Sequence, residues 1–265
     1  MVAAALSDDG LEQYLQRPLS AVDPGVAAAV ACGPIERSLA LARGEVDSLL
    51  DPSPLPAETG WCTLADGVGY VAVRTAMPAV TAEMVDWWFD WHPRESTRYR
   101  VWHPAAHLRN SLIEPARQAA KAHWGAVHHP VEDIGTGQES LRIEFMAPSR
   151  LGMSTDALDL AEVATVVCGL AGDQRRRVSH TIMFHVFLNH GAGVVLRSRF
   201  WIGAAVRPYG RAGALGAALL NNRVARRAII PGGVPAALAR HCAEEYANLA
   251  SLLPELYASF GPGAV

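Results

Sequence analysis

Ten histidines occur in 265 residues, and several fall in tight groups with carboxylates or an amide. The run His241-Cys242-Ala243-Glu244-Glu245 puts an imidazole and a carboxylate four positions apart, so on a helix both project from one face. Such a pair can chelate a metal ion, although the same spacing also suits a solvated charge pair. A second group, Trp102-His103-Pro104-Ala105-Ala106-His107-Leu108-Arg109-Asn110, offers two imidazoles and an amide. A third, His128-His129-Pro130-Val131-Glu132-Asp133, offers two imidazoles and two carboxylates before a turn at Gly135. Two imidazoles and two carboxylates drawn from these segments suit zinc, whose catalytic sites use His and Glu and can retain a position for water. Spacing leaves iron and manganese open.

Three separate segments meet only if the fold brings them together. Residues 1–58 read as helical, with apolar residues at helical spacing through Val26–Val30 and Ile35–Leu50. The stretch DPSPLPAETG (51–60) is a boundary, so the chain divides into a helical N-terminal region (1–58) and a larger domain (59–265). Gly69–Val73 reads as a strand. Thr81 caps a helix bearing Met84, Trp87, Trp88 and Trp91 that stops at Pro93. The three indoles suit the lining of an aromatic pocket or core packing equally. Tyr99–Trp102 reads as extended, and Glu114–His123 as a helix. Strands follow at Ser140–Met146, Ala161–Cys168, Val178–Leu188 and Val194–Ile202, the last two joined by a hairpin at Asn189–Gly193. From Ala212 the chain returns to helix, breaks at Pro231-Gly232-Gly233 and ends in a long helix, Pro235–Phe260, with a kink expected at Pro254. This order is α+β: an antiparallel sheet wrapped on a long C-terminal helix, enclosing a cavity fit for an apolar ligand.

Composition narrows the function. A net charge of −3 and 18% charged residues give no basic face for nucleic acid. The run Arg175-Arg176-Arg177 sits beside Asp173 and reads as a solvated turn. No apolar run approaches the roughly 20 residues of a membrane span. The first residues lack the basic start and apolar stretch of a signal peptide, so a cytoplasmic location is expected. Cys32, Cys62, Cys168 and Cys242 show no C-x-x-C spacing and read as buried thiols.

Five stretches, MVDWWFDWH (84–92), RYRVWHPAAHLRN (98–110), HPVEDIG (129–135), LRSRFWIG (196–203) and HCAEE (241–245), resemble the diacetylphloroglucinol and phloretin hydrolase family in order and separation. The resemblance covers about residues 60–260. It implies a helix-grip, lipid-carrier-like fold, a zinc ion (Zn2+), a small-molecule aromatic ketone substrate, a homodimer through the N-terminal helices, and hydrolysis of an aryl–acyl carbon–carbon bond. It implies His107, Glu132, His241 and Glu245 as metal ligands, and Tyr99, Asn110 and His180 as substrate-binding or proton-shuttling groups. His107 is preferred to His103 because the resemblance implies an Asn three residues after the ligand, where Asn110 stands; a helical turn would set both on one face. Pro104 also restricts His103 to extended backbone. His185, five residues from His180, is expected on the opposite face of the strand. Phe200-Trp201 stands where a hydroxyl would be expected. Two other readings use the same scaffold: a noncatalytic polyketide-binding protein, and an enzyme of this family acting on a different β-dicarbonyl polyketide.

Overall fold

A computed structural model describes residues 10–116, 120–209, 220–229 and 232–264. Its frame is one antiparallel sheet in the order β1-β2-β10-β9-β8-β7-β5-β4. The long strands are β2 (Gly69–Met77), β7 (Glu139–Met146), β8 (Val163–Asp173), β9 (Val178–His190) and β10 (Gly193–Pro208). The shorter ones are β1 (Gly60–Thr63), β4 (Leu112–Glu114) and β5 (Val127–His128). A small ribbon of β3 (His107–Arg109) and β6 (Val131–Glu132) joins through β6 to β7.

Strand alternation decides both faces. Val71, Val73, Met183, Phe187, Leu196 and Phe200 point to one side, where they pack with Ala239, Cys242, Tyr246, Leu249 and Leu253 of the C-terminal helix. The residues between them, Tyr70, Ala72, Phe184, Val186 and Trp201, point to the other side and pack beneath Val46, Leu49 and Leu50. With both faces covered, the strands read as continuous apolar runs rather than alternating ones. The long helix runs Val234–Phe260 and continues through Pro254. This is the helix-grip arrangement. Among the described residues no helix is long and apolar enough to cross a membrane.

Four further helices, α1 (Glu12–Leu15), α2 (Pro24–Ala31), α3 (Ala82–Trp91) and α4 (Ser96–Trp102), precede α5 (Arg223–Ile229) and the long helix, α6. Thr81 caps α3, its hydroxyl accepting from the Met84 amide at 3.4 Å. The three indoles of α3 are core: Trp87 and Trp91 stack at 4.7 Å, and Trp91 meets Phe260 at 5.5 Å. Residues 51–58 form neither helix nor strand. Arg197, only 2% exposed, reaches from β10 to the carbonyls of Leu49, Asp51 and Ser53 and to the Glu58 carboxylate.

Several expectations are corrected. Tyr99–Trp102 is helical, not extended. Its alternating pattern imitates a strand, but a helix sets Tyr99 and Trp102 on one buried face. Glu114 ends β4, pairing with Val127, and no helix occurs among the described residues of 114–123. Within Ile35–Leu50 the turns are 3-10, at Arg37–Leu39 and Arg43–Leu49. Cys32 is exposed beyond the last turn of α2, whereas Cys62, Cys168 and Cys242 are buried. Residues 1–9 and Ala212 lie outside the described residues.

Candidate active site

The cavity lies between α6 and the inner face of the sheet, with apolar walls from Phe89, Phe145, Met183, Phe200, Ile202 and Leu238. At one end, His107, His241 and Glu245 bring ligand atoms within 4.8 Å of one another. The two imidazole Nε2 atoms lie 3.3 Å apart, and a Glu245 oxygen is 3.5 Å from His107 and 3.6 Å from His241. Glu132, paired with His107 across the β3–β6 ribbon, holds an oxygen 3.9 Å from the same nitrogen.

Local structure orients each donor. His241 and Glu245 occupy one face of α6. His107 donates its Nδ1 hydrogen to the Tyr99 carbonyl at 3.2 Å, which leaves Nε2 as a lone pair facing the cluster. The Tyr99 ring stacks on His107 at 4.0 Å and its hydroxyl donates to Glu132. His103 is turned away from this centre. Its Nδ1 accepts from the Ala106 amide at 3.1 Å, and Nε2 faces Glu244 at 3.4 Å.

Burial, with help from Glu132, holds the Glu245 carboxyl well above the usual carboxylate range. Burial pushes Glu132 up to about 7 against the opposing hydrogen bond from Tyr99. Burial likewise takes His241 down to about 3 and His107 well below its ordinary value. Electron-pair donors packed this closely are unfavourable unless a proton or cation sits among them. The set of imidazole nitrogens and carboxylate oxygens fits zinc.

Asn110 and His180 reach the cavity through irregular pairing. In β3, His107 and Arg109 oppose the consecutive residues Glu132 and Val131, so Leu108 is an extra residue. Leu108 faces outward at 42% exposure, while His107 and Asn110 are buried. The expected helical turn is therefore a bulged strand. Asn110 is pinned there by Ser96, whose Oγ accepts from its amide and donates to its carbonyl. The same device acts in β9, where Thr181 and Ser179 oppose the adjacent Ala171 and Gly172, making His180 the extra residue. Gly172 permits this, since a Cβ there would come 2.0 Å from the Val178 carbonyl oxygen. Both His180 and His185 consequently line the cavity, and the expectation that they face opposite sides is wrong. His180 bonds Thr181 Oγ1 at 2.8 Å and senses Asp173 and Arg176. His185 lies deeper, 4.9 Å from the Tyr246 ring, with Nδ1 on Ser198 Oγ at 2.9 Å. The indole lining the cavity is Trp102, not those of α3.

Burial holds His92, His107, His123, His128, His180, His185 and His241 below the ordinary imidazole range. A base whose folded pKa is depressed contributes stability above its unfolded pKa near 6.5, and loses it as pH falls. Glu132, Glu139 and Glu245 act in the opposite sense but are fewer. The melting temperature of metal-stripped protein is therefore expected to fall steeply from pH 7 toward pH 4. A flat profile across that range would show that these rings are charged or solvated.

Fold and cavity define a helix-grip protein with a buried imidazole–carboxylate cluster at one end of an apolar chamber. Such a chamber presents a small molecule to a few convergent polar groups. The chain belongs to the DAPG hydrolase family, whose PhiG domain description matches residues 41–258. It is 31% identical over 234 residues to phloretin hydrolase of Eubacterium ramulus, covering 86% of this chain and 78% of that one. It is 32% identical over 237 residues to 2,4-diacetylphloroglucinol hydrolase of a Pseudomonas species, covering 87% and 81%. The corresponding enzyme of Pseudomonas protegens is also 32% identical, covering 87% and 77%.

Proposed function

We propose that this chain is a zinc-dependent hydrolase that cleaves the carbon–carbon bond between a phenolic, phloroglucinol-type ring and an acyl group. The observation that carries the reading is the convergence of His107, His241 and Glu245 at one end of an apolar cavity. These three, with Glu132, are the residues that would hold the ion. When bound, zinc supplies Lewis acidity for a carbonyl oxygen and activates water at neutral pH.

The reaction adds water across the aryl–acyl bond. The acyl carbon takes the hydroxyl, the ring carbon takes a proton, and the bonding pair returns to the ring. The chain's own residues orient the substrate and handle that proton. Tyr99 holds the Glu132 carboxylate in place through its hydroxyl. Asn110 presents a buried amide oxygen with no hydrogen-bond partner, suited to accept from a phenolic hydroxyl of the ring. His185 lines the inner wall beside Tyr246 with Nδ1 bonded to Ser198 Oγ, a fixed ring that suits relay of the proton to the ring carbon. His180, nearer the charged mouth formed by Asp173 and Arg176, suits contact with the ring's outer substituents.

The test combines metal analysis of purified protein with an absorbance assay over a panel of acylphloroglucinols. About one zinc per chain and release of the deacylated ring are expected. A protein without transition metal, or without turnover on any member of the panel, defeats the reading. His185→Gln is expected to retain metal and lower kcat by about 10²-fold, the scale of one assisted proton transfer. Unchanged kcat would remove His185 from the proton path.

A further inference from the structure

We infer that the Tyr246 hydroxyl is a specificity-determining contact that donates a hydrogen bond to a neutral oxygen of the bound ring. This rests on the hydrolase reading of the same cavity and names a group that reading does not use.

Tyr246 lies on α6 immediately after Glu245, is 0% exposed and lines the cavity. Its hydroxyl has no hydrogen-bond partner among the described residues. A buried hydroxyl left unpaired is unfavourable, and native interiors rarely keep one without a reason. Its ring is fixed from two sides: Trp102 meets it edge-on at 5.3 Å and His185 lies 4.9 Å away. The hydroxyl is therefore held in place rather than free to seek another partner. Phe200 flanks His185 on another side at 5.4 Å and offers no hydrogen-bonding group. Of the two benzene rings against His185, only Tyr246 can bond to a ligand oxygen.

The lining carries acids and imidazoles but no lysine or arginine among the described residues. A protonated phenol in such surroundings suits a neutral ketone or phenol oxygen, whereas a carboxylate or phosphate would meet no counter-charge. Tyr246 and Glu245 line the same cavity, so an oxygen held by Tyr246 sets how the ring sits toward the cluster. A donor there fixes which acyl-bearing carbon is presented.

The experiment compares wild type and Tyr246→Phe with phloretin and 2,4-diacetylphloroglucinol as probes. Steady-state kinetics use the metal-loaded proteins, equilibrium binding to the metal-stripped proteins is followed by tryptophan fluorescence, and thermal unfolding is recorded for both. Loss of one hydrogen bond is expected to raise KM and Kd about tenfold, with kcat within about threefold. The melting temperature is expected to stay the same or rise, since no protein partner is lost. KM and Kd within about twofold of wild type overturn the inference. So does a lowered melting temperature, which marks a structural hydroxyl. If wild type binds the probes without cleaving them, the hydrolase reading fails and the Kd comparison alone decides on Tyr246. If it neither binds nor cleaves them, both fall.

Discussion

Glu245→Ala is expected to remove the metal and lower kcat/KM by about 10³-fold or more, the scale of several kcal/mol of lost charge stabilisation. The helix should survive. Alanine is the best helix former, and the Glu245 backbone carbonyl, which accepts from the Trp102 indole at 3.0 Å, is unaffected. The substitution also removes a carboxyl that burial and Glu132 hold in an unfavourable state. Metal-free variant is therefore expected to melt no lower than metal-stripped wild type at neutral pH. Metal content, activity and a circular dichroism spectrum check the three parts. Retained zinc with full activity would take Glu245 out of the site.

His107→Ala and His103→Ala should separate sharply, although the two residues are four apart in one segment. His107 directs Nε2 at His241 and Glu245 and is expected to lose both metal and activity, again by about 10³-fold. His103 spends Nδ1 on the Ala106 amide and Nε2 on Glu244. Its loss should leave about one metal per chain and reduce activity by about tenfold, as for groups that merely support a ligand. Its ring lies 5.1 Å from that of His241, close enough to steady it. The reverse pattern, with wild-type zinc in His107→Ala and depletion in His103→Ala, would exchange their roles.

Much of the frame was legible because periodicity reports burial. The four long strands after residue 139, the β9–β10 hairpin and α6 all follow from apolar runs and turn residues. The pairing of His241 with Glu245 on one face needs only helical spacing. What escaped were the places where one residue is out of step. Periodicity assigns His180 and His185 to opposite faces, and makes a helical turn the simplest route from His107 to Asn110. Leu108 and His180, each an extra residue in a ladder, reverse both conclusions. A bulge depends on how the partner strand pairs, through Val131–Glu132 or Ala171–Gly172, and that information lies elsewhere in the chain. Tyr99–Trp102 failed for a related reason: its local alternation favours a strand, while packing of Tyr99 and Trp102 into the core selects a helix.

Arg197 bears on the order in which the protein can assemble. Its partners Leu49, Asp51, Ser53 and Glu58 precede it by 139 to 148 positions. On a chain synthesised from its N-terminus, this proline-rich stretch emerges long before the cation that gathers its carbonyls. Until β10 enters the sheet, residues 49–58 have nothing to replace water on those oxygens and stay open to proteases. Closure of that loop thus comes late and coincides with completion of the central strands, so cleavage within it would report molecules whose sheet is unfinished.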